Sequence, residues 1–452
     1  MIRRITRPCT RARPARRTRI IAEDRPQDPP NGPDDTIRAV ILDFEGVLTG
    51  ADGTPVLDDA ADMIRGLKAA GIAVGIVSDD DRTTKALNDA DLTSLVDAVS
   101  DETGSAALPD RLHEIARHLG SMPGETALVG ATPRTVGAGS AARLGLVIGA
   151  DRHDDSGQHR HALRSGGADL VTRDLRQLLL PDGGLRTLDR LPLIWDRLDA
   201  VRARIGARPV ATFLDFDGTL SPIVADFRAA SIPDETRDAV ARLAGCCPVA
   251  VISGRDLQDV RARVGLEDVI YAGSHGFDIA GPDGLEARPD EAEGFLQPIA
   301  DADAALHEAL SGVEGADVER KTFSVAVHYR RVAEQDVPTI ENAVDRIVAD
   351  RKMLRKGRGK MVFEIQPRAD WDKGRAVAWL LENTRLGTDD ALPVYFGDDL
   401  TDEDAFGALS GSGLCIAVRG GGRATLADYA LADTDDVRRF VLWLADRGAP
   451  SR

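Results

Sequence analysis

One strand occurs twice in this chain, and that repeat limits the possible folds more than any other feature. Ala39-Val40-Ile41-Leu42-Asp43-Phe44-Glu45-Gly46-Val47-Leu48 is matched by Ala211-Thr212-Phe213-Leu214-Asp215-Phe216-Asp217-Gly218-Thr219-Leu220. Each copy is a largely apolar run that stops at an acid, an aromatic ring, a second acid and a glycine. Strands apolar on both faces belong to parallel sheets covered by helices, and such sheets place ligands at the carboxyl ends of their strands. Ile76-Val77-Ser78 is likewise matched by Val251-Ile252-Ser253. The sequence therefore reads as an internal duplication of one α/β fold.

The spacing of the other elements agrees. At 452 residues the chain is too long for one ordinary domain. In the first half, apolar runs at 72–77, 126–129 and 144–148 alternate with helical segments at 60–70 and 109–119, the rhythm of a parallel sheet. The second half predicts strands at 210–214, 249–252 and 394–396, with helices at 236–244 and 374–381. Between its second and last strands the pattern changes to strands at 322–329 and 361–365 around helices at 292–310 and 337–350. The fold class expected is α/β, two Rossmann-like domains in tandem, the second carrying an α+β insert. The expected boundaries are a disordered basic tail and linker over 1–36, a first domain over 37–181, and a connecting helix within 182–208. The second core then covers 209–276 and 368–447, with the insert over 277–367.

A net charge of −17 disfavours broad contact with nucleic acid, although a local Lys/Arg cluster still admits a small anion. The four cysteines, Cys9, Cys246, Cys247 and Cys415, have neither disulfide-framework nor zinc-ligand spacing. No apolar run approaches the roughly 20 residues that span a bilayer, and the arginine-rich start has no apolar signal core. A cytoplasmic protein without membrane or nucleic-acid partners is expected. The oligomeric state is left open.

Chemistry concentrates in the second half. With a two-residue period, Asp215 and Asp217 leave their strand on the same side and Phe216 on the other. Paired carboxylates need a compensating charge, and magnesium supplies it to hard oxygen ligands. Asp215 can then act as a nucleophile toward phosphorus, and Asp217 as the proton donor and later base. An Asp-Gly turn alone would be unremarkable, so the other segments matter. Ser253, Gly254 and Arg255 end the next strand, where hydroxyl and backbone amides form an anion site. Lys373 starts a helix, where a cation opposes the macrodipole at a cost of about 0.3–1 kcal/mol, so an external anion, namely a phosphate, is expected to hold it there. Asp398, Asp399, Asp402, Glu403 and Asp404 follow one strand, more acids than helix capping needs.

These segments, in this order, resemble the haloacid-dehalogenase phosphatase superfamily. Asp215–Pro222, Ile252–Arg255, Gly273–Gly276 and Gly397–Asp404 are similar to the trehalose-6-phosphate phosphatases, and the likeness covers 209–446. It implies a magnesium-dependent phosphatase working through an aspartyl-phosphate on a sugar-phosphate substrate. It also implies catalytic roles for Asp215, Asp217, Ser253 and Lys373, and metal binding by Asp215, Asp217 and Asp398 with Asp399 and Asp402 in support. The insert becomes a specificity cap, with Glu319, Lys321, Arg330, Lys360 and Glu364 toward the sugar. Thr219, Gly254, Arg255, His275 and Gly276 are implied on the substrate side of the core.

The first half departs from this pattern. Glu45 stands where the second Asp should be, no acid follows Leu128-Val129-Gly130, and no lysine occurs over 106–110. It is expected to keep the fold without the chemistry. Two other readings of the whole remain: a capped phosphatase for another sugar phosphate, such as sucrose phosphate, and a sugar-phosphate-binding regulator without turnover.

Overall fold

The computed structural model describes residues 3–4, 19–20, 37–50, 55–79, 82–100, 107–153, 158–224, 226–289, 292–359, 361–369, 371–388, 390–420 and 423–448. The chain divides into two units, Met1–Arg190 with Gly421–Thr425, and Leu191–Gly420 with Leu426–Arg452.

Each unit is built on an eight-stranded sheet, and six parallel strands follow the same order in both. In the first unit the order across the sheet is Ala98–Ser100, Ala73–Val77, Ala39–Asp43, Thr126–Gly130, Leu146–Ala150 and Leu170–Thr172. In the second it is Ile270–Gly273, Val249–Ile252, Val210–Leu214, Leu392–Gly397, Leu414–Val418 and Tyr429–Leu431. The strand order reverses beside Asp43 and Asp215, which puts both at the switch point where such sheets bind ligands. The duplication read from the sequence is therefore a duplication of topology. The central strands are buried along their length, so covering helices need only one apolar face. In Asp234–Ala244 that face is Thr236, Ala239, Val240 and Leu243, at helical spacing.

Several elements differ from expectation. Strands Ile270–Gly273, Leu414–Val418 and Tyr429–Leu431 were missed, so three strands, not one, follow the insert. Asp278–Ala280 and Glu286–Ala287 extend the core sheet antiparallel, which moves the start of the insert beyond residue 277. The connecting helix is short: a 3-10 turn at Ile194–Arg197 leads into Leu198–Ile205, because Pro192 and the residue before it disfavour helix upstream. In the first unit, Arg3–Arg4 and Arg19–Ile20 are short strands, the latter paired to Ala98–Ser100, where a structureless tail was expected. The rest of 1–36 lies outside the described residues.

The insert is a four-stranded antiparallel sheet in the order Asp317–Arg320, Val325–His328, Val362–Pro367, Leu354–Gly359. The single strand expected over 322–329 is instead a hairpin, closed by Lys321 N–H donating to Ser324 O at 2.8 Å. Phe323 leaves the sheet at that turn and packs on Phe277 and Phe295. Helices Leu296–Leu310 and Val337–Ala349 cover one face with Ile299, Leu306, Ile340 and Val344 against Val325, Val327, Phe363 and Ile365. Each large side chain buried there contributes about 1.5–3 kcal/mol. The opposite face carries Glu364 and looks into a cleft shared with the core. Among the described residues no helix is long and apolar enough to cross a membrane.

Candidate active site

Asp215 follows the strand Val210–Leu214 and is buried. Lys373, first residue of the helix Lys373–Asn383, donates from Nζ to Asp215 Oδ1 and to Asp402 Oδ1, both at 2.7 Å. Lys373 is 3% exposed, which answers the question raised by a cation at a helix start: two carboxylates hold it. The other lone pairs of Asp402 are also engaged. Tyr395 Oη donates to Oδ1 at 2.8 Å, and the amides of Asp398 and Asp399 donate to Oδ2 at 3.0 Å. Asp402 thus fixes both the lysine and the loop that carries Asp398.

The charge balance is uneven. Asp215, Asp398 and Asp402 each offer an oxygen within 4.8 Å of the others, against one ammonium. Burial pushes the Asp215 carboxyl well above the usual range; Lys373 opposes this, while Asp402 and Asp398 add to it. Burial would lower the Lys373 ammonium, but Asp215 and Asp402 outweigh it and raise it. The lysine stays charged, and three carboxyl groups crowd around a single ammonium. Gly218, at φ +85°, lets Asp215 and Asp398 approach: a Cβ there would lie 2.1 Å from Asp398 Oδ2. An all-oxygen donor set of three clustered carboxyl groups suits a hard divalent cation.

Asp217 points elsewhere. Its carboxylate accepts a fork from Arg255, Nε to Oδ2 at 2.6 Å and Nη2 to Oδ1 at 2.7 Å. Ser253 is 1% exposed, and its hydroxyl accepts from the Arg255 amide at 3.1 Å. The helix after it starts only at Leu257, so Ser253 belongs to the loop and not to a cap.

The insert supplies the facing wall. Glu364 is saturated: Oε1 accepts from Lys321 Nζ at 3.1 Å and Ser324 Oγ at 2.7 Å. Oε2 meets His275 Nε2 at 2.9 Å and accepts from Gln366 Nε2 at 2.8 Å. Burial alone would raise this carboxyl, but Lys321 and His275, with the hydrogen bonds from His275 and Ser324, hold it well below the usual range. His275 comes from the core, at φ +59° in the Gly-Ser-His-Gly turn, so this contact joins insert to core.

Of the residues expected at the substrate, Gly254, Arg255, His275, Glu319, Lys321, Arg330 and Glu364 line the cleft with Asp215, Asp217, Ser253, Lys373, Asp398 and Asp399. Thr219 does not line it; its side chain is fully buried behind the turn. Gly276 does not line it either, and packs at φ +93° against Ala376. Lys360 lies outside the described residues. Sequence reasoning missed Phe227, Asp317, His328 and the apolar Ile223, Val224 and Met361. Phe227, Ile223 and Val224 sit in a loop without periodicity or motif, so no local signal marked them.

The residues 213–435 match the trehalose-phosphatase family model, and 11–143 match that of haloacid dehalogenase-like hydrolases. An uncharacterized glycosyl hydrolase of Mycobacterium tuberculosis is 38% identical over 408 residues, 87% of this chain. The chain spans only 30% of the length of that relative. The trehalose-phosphate phosphatase of Mycobacterium avium is 41% identical over 354 residues, 76% of this chain and 89% of that protein. Among solved structures, the C-terminal domain of Candida albicans trehalose-6-phosphate phosphatase superposes with a TM-score of 0.51 at 24% identity, covering 57% of this chain and 99% of that one; it supports the fold. The identity to the Mycobacterium avium protein runs through most of that relative, and the family match includes the strand ends that carry Asp215 and Asp398 and the helix start that carries Lys373: the chain belongs to the trehalose-phosphatase family.

Proposed function

We propose that this chain hydrolyses trehalose 6-phosphate to trehalose and phosphate. The observation that carries the reading is the buried Asp215–Lys373–Asp402 array, whose Asp215 and Lys373 line a cleft faced by Glu319, Lys321, Arg330 and Glu364 of the insert. The name of the 41% identical Mycobacterium avium relative supports the substrate.

Asp215 attacks phosphorus and its new O–P bond replaces the bond to the sugar oxygen, which leaves with a proton from Asp217. Water then attacks the aspartyl-phosphate, Asp217 takes its proton, and the bond to Asp215 breaks. Lys373 and the Ser253 loop neutralise phosphate oxygens and hold them in line. Magnesium would be held by the Asp215 and Asp398 side chains and the Asp217 carbonyl, with Asp399 and Asp402 supporting. Bound there, it would neutralise charge on the phosphoryl oxygens.

The first unit is read as non-catalytic. Asp43 accepts a hydrogen bond from Thr135 Oγ1 at 2.5 Å instead of a lysine, and the nearby Arg111 is spent on Asp79 and the carbonyls of Ser78 and Ser100. Phosphate release from trehalose 6-phosphate and a panel of other sugar phosphates, with and without chelator, tests the whole reading. Preference for another sugar phosphate would move the substrate; release that survives the chelator would remove the metal.

A further inference from the structure

Arg255 was expected at the substrate, yet its guanidinium is committed within the protein. Nε and Nη2 fork onto Asp217, Nη1 donates to Asp259 Oδ2 at 3.0 Å, and Nη2 also donates to Phe227 O at 2.9 Å. Phe216 covers it, 5.5 Å from ring centroid to Cζ. Asp259 is itself fixed by Arg263 Nε, at 2.9 Å to both oxygens. With 5% exposure and its fork occupied, Arg255 has little left to offer a phosphate or a sugar. What it does control is the direction of the Asp217 carboxylate.

The same arginine touches the loop that meets the insert. Phe227 stacks on His328 at 4.1 Å, and Arg228 pairs with Asp317 through Nη1 at 2.6 Å and Nη2 at 3.0 Å. His328 and Asp317 both belong to the insert. One short loop therefore carries the tie to the insert and an acceptor for the arginine that aims Asp217.

We propose that Arg255 is a positioning residue for Asp217, and that the Phe227–Arg228 loop links this placement to engagement of the insert. The proposal rests on the reading of Asp217 as proton donor to the leaving oxygen. It requires no sugar contact, which makes it separable from the choice of substrate.

The test uses small phosphomonoesters without sugar: para-nitrophenyl, phenyl and ethyl phosphate, beside trehalose 6-phosphate. kcat/KM ends at departure of the alcohol, so it reports the step in which Asp217 donates. Nitrophenolate leaves without a proton, whereas ethoxide requires one. Arg255→Lys keeps the charge but loses the fork. It should lower kcat/KM by about 100-fold for ethyl phosphate and by less than about 5-fold for para-nitrophenyl phosphate, in line with the worth of general acid catalysis. Asp259→Asn, whose side chain does not line the cleft, should give the same slope at about 10-fold, and carries the test if Arg255→Lys does not fold. Equal losses across the series would reduce Arg255 to a structural role, and a loss confined to trehalose 6-phosphate would make it a sugar contact; either overturns the proposal. A wild-type protein that cleaves the small esters but not trehalose 6-phosphate would sink the substrate and leave the clamp standing. One that cleaves none would refute both.

Discussion

Two aspartates end the same strand of the same topology, and among the described residues only Asp215 is paired with a cation. In each unit the neighbouring strand closes on a glycine, Gly130 or Gly397, and the residue five positions on packs against it. In the second unit that residue is Asp402, and Lys373 bridges it to Asp215 at 2.7 Å on both sides. In the first unit it is Thr135, and its hydroxyl bonds Asp43 directly at 2.5 Å. The helix that starts with Lys373 has as its counterpart one that starts with Leu108. Among the described residues the first unit also has no four-stranded insert. Backbone hydrogen bonds and apolar packing preserve the sheet without these charges; the proposed phosphoryl transfer draws on them.

The largest effect should come from the proposed nucleophile. Asp215→Asn keeps the shape but cannot attack phosphorus, and turnover should fall by more than about 1000-fold. Retained hydrolysis would break the contrast at its root, because the two aspartates would then be equally dispensable.

Lys373→Met comes next and should act on stability as well as rate. It leaves Asp215 and Asp402 buried with no ammonium, a change that typically destabilises by about 3–5 kcal/mol. All four tryptophans, Trp195, Trp371, Trp379 and Trp443, lie in the second unit, so their fluorescence in denaturant follows that unit alone. An unchanged midpoint would mean that the pair contributes nothing to folding and that the second unit differs from the first in catalysis only.

Much of this was legible because the decisive residues lie at the ends of strands or helices that local pattern can locate. The Asp215, Ser253, Lys373 and Asp398 segments each follow or open an element whose periodicity is visible, and their order gave the superfamily. What local pattern could not supply was pairing across long separations. Arg255 meets Asp217 from 38 residues away, and His275 meets Glu364 from 89. Both arginine and glutamate therefore read as substrate contacts when their donors and acceptors are largely filled by the protein. The hairpin at Lys321–Ser324 was missed for a related reason: Phe323 is apolar and alternates correctly, but its partner is Phe277 in the core and not the sheet.

The insert sharpens the comparison from its own side. Glu364→Ala removes a carboxylate that organises Lys321, Ser324, His275 and Gln366. For trehalose 6-phosphate the expected loss in kcat/KM is about 1.5–3 kcal/mol, the range for hydrogen bonds to a charged group. Para-nitrophenyl phosphate, with no sugar to orient, should lose far less. Parallel losses would mean that Glu364 secures the insert against the core and does not shape a sugar site.

The smallest effect on rate belongs to Asp43→Asn, with turnover expected within about twofold of wild type, because a change in the first unit removes no interaction made with the transition state in the second. Its effect on stability has a definite sign. Burial raises the Asp43 carboxyl to about 7 from an ordinary 3.8; Thr135 opposes the shift, and Glu45 adds to it. The folded first unit therefore binds a proton that the unfolded chain releases. Stability from this group is fully present below pH 3.8 and is lost as pH rises through about 7. Over that window the cost is on the order of 4 kcal/mol, at about 1.4 kcal/mol per pH unit. Asparagine stays neutral and can still accept from Thr135, so the variant should show a flatter pH profile and be the more stable protein above pH 7. Amide hydrogen exchange of the strand Ala39–Asp43, measured between pH 5 and 8 with correction for intrinsic rates, reads this directly. If wild type and variant lose protection in parallel across that range, Asp43 is not the group that titrates. If instead the variant loses turnover as deeply as Asp215→Asn, the first unit is catalytic and the contrast between the two aspartates fails.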